Sequence, residues 1–294
     1  MSKFRIRQAE KRQAKLRLAL IGVSGSGKSR GAISIALGME KKFVVIDTED
    51  TSADLYAGLG KFDVLTLEKP FTPERYIDAI NYCEEEGYEI IIIDSLSHAW
   101  AGEGGLLEMH DKITQASKSK NSYMAWGEIT PWHNKLISTI LHSSAHIITT
   151  MRVKTQYEVI NDNGRMKPVK VGLAPIQREG MDYEFTVVLD IDKESKLYSS
   201  SKDRTQLFEG KHEKISIETG KKLIEWLNDG KSIEEIENEK NKEIEDHKEE
   251  LRLASSLEVL TNNFKIACKK FPDLKEELIQ IATQRKEEII NPIH

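Results

Sequence analysis

Residues 22–29 constrain this chain more than any other segment, because their positions follow one fixed pattern. They are Gly-Val-Ser-Gly-Ser-Gly-Lys-Ser, which matches G-x-x-x-x-G-K-[ST]. Residues 16–21, which are apolar except for Arg17, lead into this segment, and residues 30–39 have the composition of a helix. The sequence therefore predicts a strand, a glycine-rich loop and a helix, joined in that order.

Each fixed position of this loop has a chemical reason that points to phosphate. Glycines allow backbone N–H groups to turn inward around phosphate oxygens, and a helix N-terminus favours anions. We expect Lys28 to reach the β- and γ-phosphates of ATP, and Ser29 to coordinate Mg²⁺. ATP and Mg²⁺ are thus the predicted cofactors. The residues predicted to surround them are Gly22, Val23, Ser24, Gly25, Ser26, Gly27, Lys28, Ser29, Arg30 and Asp94.

Composition narrows the class of protein further. Charged residues make up 31% of the 294 residues, and no apolar run approaches the length of a membrane span. Cys83 and Cys268 are far apart, so neither a disulfide framework nor a zinc site is expected. The basic N-terminus has no apolar segment of the secretory type. We therefore expect a cytoplasmic protein without a membrane partner.

The order of segments predicts an α/β fold with a mostly parallel central sheet flanked by helices. Two late segments, 183–191 and 196–199, are expected to join the sheet as antiparallel strands. Residues 233–250 hold nine acidic residues and three lysines. We predict a basic segment at 1–14, an ATPase core at 15–232, an acidic linker or solvated helix at 233–250, and a small C-terminal helical hairpin at 251–294.

Two acidic positions follow predicted strands at the edge where the glycine loop should lie. Asp94 ends the run Ile90–Ile93, and it is expected to hold Mg²⁺ opposite Lys28. Glu49 follows the second strand, where it can act as a general base on the attacking water. Asp47 is the nearest competitor for that role.

Lys202 and Arg204 lie one residue apart on a short extended segment. Side chains at this spacing point to the same side of a strand and can jointly meet the charge of a transferring phosphate. From the spacing alone, a solvated loop is the better interpretation.

Together these segments resemble the RecA/RadA-like ATPases, and in detail their small phage-encoded relatives, the Sak-type single-strand annealing ATPases. The resemblance covers about residues 15–230 and is carried by FVVIDTED, EIIIIDSLSHAW, HIITTMR, GLAPIQREGMDYEF and SKDRTQLF. It implies a RecA-like P-loop NTPase core and, for a phage protein, the cytoplasm of a bacterial host.

The resemblance also implies roles for individual residues. Glu49 matches the catalytic glutamate, and Asp94 with Ser95 matches the Walker B pair. Lys202 and Arg204 match a pair that reaches across a subunit interface, which implies a homo-oligomer, either a ring or a short filament. Thr150 and Arg152 flank the expected position of the γ-phosphate sensor. RecA has a polar amide there, so which of the two residues is the sensor stays open.

Two long connections, about 100–128 and 154–181, are predicted to be loops without regular structure at the same edge of the sheet. Their cations suit a phosphate backbone, and their aromatic residues can stack on unpaired bases. The residues predicted to bind single-stranded DNA are Lys118, Lys120, Lys154, Arg165, Lys167, Lys170 and Arg178. Core packing is the alternative for the aromatic residues, and we favour it for Trp132. His98 is either a relay from the nucleotide or a histidine held by ordinary hydrogen bonds.

The sequence thus predicts a Mg²⁺-dependent ATPase that binds single-stranded DNA and promotes homologous recombination or single-strand annealing as an oligomer. ATP would lie between protomers, with Lys28, Glu49, Lys202 and Arg204 as the catalytic residues. One alternative is a ring-shaped motor or loader of a phage replication system. Another is a nucleotide-switched scaffold that recruits a single-strand-binding protein through the C-terminal hairpin.

Overall fold

The computed structural model describes residues 8–118, 121–162 and 165–291, and it leaves out the side chains of 156–172 and of Ile233. The chain divides into two compact units. The larger unit is residues 14–227, and the smaller unit combines 1–13 with 228–294.

The larger unit contains strands and helices in alternation. Its strands are β1 (Arg17–Ile21), β2 (Phe43–Asp47), β3 (Asp63–Thr66), β4 (Ile90–Asp94), β5 (His146–Met151), β6 (Val153–Asp162), β7 (Arg165–Pro175), β8 (Val187–Ile191) and β9 (Tyr198–Asp203). Its helices are α1 (Lys28–Gly38), α2 (Pro73–Glu85), α3 (Ser97–Ala101), α4 (Leu106–Ala116), α5 (Ser122–His142) and α6 (Ile217–Asn228).

Within the described residues, a seven-stranded sheet has the order β3-β2-β4-β5-β1-β8-β9. Every neighbouring pair is parallel except β8 with β9. The predicted mostly parallel central sheet is therefore confirmed. The expectation that 183–191 adds an antiparallel strand was wrong, because β8 pairs parallel with β1 and only β9 runs back.

Helices cover both faces of this sheet, which explains why its central strands are apolar throughout. Ile90, Ile91, Ile92 and Ile93 of β4 are all at most 1% exposed. Side chains of α1 and α6 join the core on one face, and side chains of α2 and α5 join the core on the other. A strand buried on both faces requires this continuous apolar run.

Close contact between α1 and α6 depends on two glycines. A Cβ atom added at Gly220 would lie 2.1 Å from the Ile35 carbonyl oxygen. One added at Gly38 would lie 2.0 Å from the Ile217 carbonyl oxygen. The two backbones therefore touch, and no larger residue fits at either position without a shift.

The two long connections are more ordered than the sequence predicted. The first is helical over most of its length, since it contains α3, α4 and the start of α5. The second forms the antiparallel hairpin of β6 and β7, which pairs Val153 with Pro175 at its base. The expectation of structureless loops was wrong in both cases, because each segment satisfies its own backbone hydrogen bonds.

The smaller unit contains three helices within its described part, α7 (Ile233–Arg252), α8 (Leu257–Lys270) and α9 (Lys275–Ile290). Ser232 and Glu235 form a capping box at the start of α7, which contains the acidic stretch. The hydrophobic core of the smaller unit consists of Leu251, Ala254, Leu260, Ala267 and Leu278. Among the helices that the structure describes, none combines the length and the apolar character needed to cross a membrane.

Candidate functional site

The glycine loop lies between the carboxyl end of β1 and the start of α1. Gly25 and Gly27 have φ angles of 76° and 101°, a backbone conformation that favours glycine. The first N–H groups of α1 have no partner within the helix, and its first turn contains no acidic residue. The loop and helix therefore present backbone donors and a positive dipole end to the same region.

Lys28 is held inside this loop. Its side-chain nitrogen donates a hydrogen bond to the Val23 carbonyl oxygen at 3.0 Å, and the residue is only 8% exposed. Burial lowers the pKa of Lys28, while the nearby carboxylates of Asp94 and Glu49 oppose that shift. The ammonium group thus lies between the phosphate loop and two acidic residues.

The donors around the loop fit a nucleoside triphosphate. The fully buried hydroxyl of Ser26 has no hydrogen-bond partner among the described residues, and Ser24 and Arg30 are exposed beside it. Across the described ranges, no cluster of three or more His, Cys, Asp or Glu side chains is arranged to hold a metal by itself. A Mg²⁺ ion at this loop would thus take ligands from phosphate oxygens as well as from the protein.

Asp94 ends β4 beside the start of α1. Burial raises the pKa of its carboxyl group, and hydrogen bonds from Ser29 and Thr150 act in the opposite direction. The Thr150 hydroxyl donates to Asp94 Oδ1. The structure thus brings Ser29, Asp94 and Thr150 together, and the two predicted Mg²⁺ ligands, Ser29 and Asp94, are neighbours.

Glu49 lies in the turn after β2, and its carboxylate is paired with Arg152. Arg152 Nε and Nη2 both donate to Glu49 Oε1, at 3.1 Å and 2.6 Å. Arg152 is also tied through its backbone, because its N–H donates to Ser97 Oγ at 2.9 Å and its carbonyl accepts from Ile176 at 2.7 Å. The predicted base and one predicted sensor residue therefore form one ion pair at the base of the β6–β7 hairpin.

Asp47, the competitor of Glu49, is fully buried and serves the turn itself. Its carboxylate accepts the backbone N–H groups of Glu49 at 2.7 Å and of Ala53 at 2.9 Å. The Ser52 hydroxyl adds a longer contact at 3.4 Å. Both Asp47 oxygens are thus occupied by groups that fix the conformation of residues 47–53.

A cleft of about 380 Å³ opens beside the glycine loop. Lys196, in the turn between β8 and β9, donates to the Gly25 carbonyl oxygen at 2.6 Å and so closes one end of the cleft. The cleft is lined by Ser26, Gly27, Arg30, Gly31, Ile191, Lys196, Lys214 and Ile215. It combines apolar walls with three cations directly next to the phosphate loop.

Lys202 and Arg204 do not reach the phosphate loop of this chain. Because β9 runs antiparallel, Lys202 pairs with Val188, and Arg204 follows at the amino-terminal end of β8. Four residues of strand, or about 13 Å, separate that end from the phosphate loop. The Lys202 ammonium donates to the Tyr183 carbonyl oxygen, and Arg204 is exposed.

The predicted DNA-binding residues are spread over strands β6 and β7 and over the connections that follow α4 and β7. Exposed Lys118 follows α4, exposed Lys154 lies on β6, and Arg178 lies 5.9 Å above the Trp126 ring. Lys120 lies outside the described residues. The remaining three lie on β7, but their side chains are outside the described part of the chain; they are Arg165, Lys167 and Lys170.

Sequence reasoning missed two contacts of the site. Glu49 and Arg152 are 103 residues apart, and no local pattern connects them. The second contact is made by Lys196, whose charge is opposite to that of phosphate and whose position at the start of a predicted late strand is visible in the sequence. Trp132 is partly buried against Trp100, Leu106 and Ile129, as a core position should be.

The fold and the site together define a class of protein. A mostly parallel sheet whose first strand leads into a phosphate loop, with a buried aspartate ending β4, is the core of a P-loop nucleotide-binding protein. A family model described as an AAA domain, AAA_24, matches residues 14–222. The chain belongs to this family.

Other comparisons add little at the level of residues. One similar solved structure is described as the crystal structure of the RadB recombinase. It is 18% identical, the match covers 65% of this chain and 83% of that chain, and the TM-score is 0.33. This likeness is too low for a comparison of individual side chains. A search of curated proteins finds no match.

Proposed function

We propose that this protein is a Mg²⁺-dependent ATPase that binds single-stranded DNA and promotes homologous recombination or single-strand annealing as an oligomer. The observation that carries the proposal is the division of its charged residues. Lys28, Glu49 and Asp94 meet at one edge of the sheet, whereas Lys202 and Arg204 lie toward the other edge. A site divided in this way is complete only when two protomers meet.

On this proposal each residue of the phosphate edge has one task. The N–H groups of the loop and the Lys28 ammonium bind the phosphates, and the cleft beside Lys196 receives the sugar and base. Ser29 and Asp94 hold Mg²⁺, which neutralises developing charge on the phosphates when it is bound. Glu49 orients and deprotonates the attacking water. Asp47 is the weaker candidate because it is fully buried and its carboxylate holds the turn.

Lys202 and Arg204 would act on the ATP of a neighbouring protomer. Their spacing directs both side chains to one side of β9. Positive charge delivered in trans stabilises the transferring phosphoryl group only after assembly. In the single chain the Lys202 ammonium donates a hydrogen bond to the Tyr183 carbonyl oxygen, and this bond would have to break on assembly.

The proposed DNA contacts rest on the β6–β7 hairpin and on the connection that follows α4. The hairpin projects from β5 directly after Arg152, so DNA bound to it acts on the residue that holds Glu49. This supports ATP turnover that rises when single-stranded DNA binds. The phage Sak-type specificity stays part of the proposal.

A mixing experiment tests the divided site. Glu49→Gln keeps the trans cations but loses the base, and a Lys202→Ala/Arg204→Ala double variant keeps the base but loses the cations. Each alone should be nearly inactive with saturating single-stranded DNA. An equal mixture should recover about a quarter of wild-type turnover, because one in four random head-to-tail pairings restores a complete site.

The controls separate the parts of the proposal. In a further mixture, Lys28→Ala is added to the Lys202→Ala/Arg204→Ala variant, and the product is combined with Glu49→Gln. This mixture tests whether recovery needs nucleotide binding in the same protomer as Glu49. Mixtures no more active than their components would refute the shared site. If saturating single-stranded DNA leaves wild-type turnover unchanged, the DNA-dependent function is refuted. Directional unwinding of forked DNA would instead favour the alternative of a ring-shaped motor or loader.

A further inference from the structure

The Thr48 hydroxyl connects backbone segments that carry the two carboxylates of the proposed site. The Ser95 backbone N–H donates to Thr48 Oγ1 at 2.8 Å, and Thr48 Oγ1 lies 3.1 Å from the Asp94 carbonyl oxygen. Thr48 directly precedes Glu49, and Ser95 directly follows Asp94. One buried hydroxyl thus joins the ends of β2 and β4 at the residues next to both carboxylates.

His98 completes this arrangement. Its Nδ1 atom lies 2.8 Å from Thr48 Oγ1. A hydroxyl has one proton to donate, and here it also accepts from Ser95. A neutral imidazole donates to Oγ1 when the hydroxyl turns toward Asp94, and accepts from it when the hydroxyl turns toward the ring. In either tautomer, His98 Nδ1 can share a hydrogen bond with Thr48 Oγ1, which also lies within reach of the Tyr76 hydroxyl.

Packing fixes the position of the His98 ring. The ring stacks on Phe71, with centroids 5.0 Å apart and an angle of 28° between the planes. A Cβ atom added at Gly102 would lie 2.8 Å from the Phe71 ring and 3.0 Å from His98 Cβ. The Phe71 ring stacks on the imidazole and the backbone of residue 102 lies against His98 Cβ, so packing restricts the direction of the hydrogen bond to Thr48.

We propose that His98 is a positioning residue for ATP hydrolysis, which acts through Thr48 to hold Glu49 in line with Asp94 and does not itself touch the nucleotide. This inference rests on the proposed function. Burial and the nearby Arg152 lower the pKa of His98, in agreement with a neutral ring. A small displacement of a base from its reacting water reduces turnover much more than it reduces substrate binding.

The first test compares His98→Ala with His98→Asn. Asparagine places an amide near the position of Nδ1 and can keep the bond to Thr48. We expect His98→Ala to lower kcat by about 10- to 100-fold, with KM and ATP affinity within about twofold of wild type. His98→Asn should recover most of kcat. Thermal unfolding of each variant reports whether it remains folded.

A matched control is His110→Ala. His110 also stacks on an aromatic ring, Trp126, and lies 3.0 Å from a hydroxyl, Ser122 Oγ. It has no contact with Thr48, Glu49 or Asp94 among the described interactions, so DNA-free turnover should be unchanged. In a double-mutant cycle, Thr48→Val and His98→Ala should be strongly non-additive, because each removes the same hydrogen bond.

Two outcomes separate this inference from the proposed function. If wild type hydrolyses ATP and Glu49→Gln does not, but His98→Ala keeps wild-type kcat, the positioning role is refuted alone. Equal losses in His98→Ala and His98→Asn, or a loss confined to KM, refute it as well. If wild type does not hydrolyse ATP with Mg²⁺, the proposed function fails first, and the inference fails with it.

Discussion

At the scale of single residues, the pair of Glu49 and Arg152 has the greatest consequence for activity. Two guanidinium N–H groups occupy one carboxylate oxygen, so Arg152 restricts where Glu49 can point. The two side chains are 30% and 41% exposed, and such pairs contribute little to stability. Their importance therefore lies in orientation and in charge near a bound phosphate.

Arg152→Ala should lower DNA-stimulated kcat by about 10²- to 10³-fold, because it removes a preorganised donor from the site. Arg152→Lys keeps the charge without the paired N–H groups and should fall between wild type and Arg152→Ala. Steady-state ATP turnover measures the effect, and thermal unfolding should change little. Turnover in Arg152→Ala at or above the wild-type level would show that the guanidinium restrains Glu49 and does not assist it.

His146 makes a residue-scale prediction about stability. It is 3% exposed, its Nδ1 accepts the Leu16 N–H at 3.0 Å, and burial lowers its pKa to about 3. The unfolded chain binds a proton near pH 6.5, but the folded chain does not. This contribution to stability is therefore complete above pH 6.5 and is lost as pH falls toward about 3, at about 1.4 kcal/mol per pH unit.

Denaturant unfolding between pH 7 and pH 4 checks this dependence. His146→Asn, which keeps an acceptor and does not titrate, should show a slope shallower by about one proton. Identical slopes for wild type and His146→Asn would contradict the prediction.

At the scale of elements, the sequence predicted most of the sheet but not the connections. Runs such as Ile90–Ile93 determine buried strands, because few other structures accept four β-branched residues in a row. The direction of β8 depends on the path of residues 176–186, which no local pattern determines. Likewise the connection 100–128 was predicted to be a loop, although helix α4 begins at Leu106 within it.

The contact of α1 with α6 gives an element-scale prediction. Gly220→Ala should destabilise the larger unit by about 1–3 kcal/mol, because the new Cβ meets the Ile35 carbonyl oxygen at 2.1 Å. Gly58→Ala is the control, since an added Cβ there meets nothing within 4 Å. Denaturant midpoints compare the two, and a midpoint for Gly220→Ala equal to that for Gly58→Ala would exclude close packing at this crossing.

At the scale of the whole molecule, each unit has its own hydrophobic core. A chain that ends at residue 232 should therefore stay folded and keep DNA-stimulated ATP turnover. The removed residues, 233–294, carry 15 acidic and 10 basic side chains, a net charge of −5. If this charge competes with DNA for the basic hairpin, the shortened chain should bind single-stranded DNA more tightly at low salt.

Fluorescence anisotropy over a range of salt concentrations measures this effect, with full-length protein in parallel. Equal affinities of the full-length and shortened chains for single-stranded DNA would show that the acidic residues do not compete with DNA. Loss of assembly in the shortened chain would instead assign residues 233–294 to contacts between protomers. Loss of partner recruitment alone would support the predicted role of the C-terminal hairpin in recruiting a single-strand-binding protein.

The reversal of direction at β9 places Lys202 and Arg204 away from the phosphate loop of their own chain. On the proposed function, an open row of n protomers then contains n − 1 complete sites, and a closed ring contains n. One terminal protomer of every open row binds ATP without hydrolysing it. Specific activity thus rises with protein concentration and with the length of the DNA that organises the row. Turnover per protomer therefore depends on the fraction of protomers that have a neighbour on the required side.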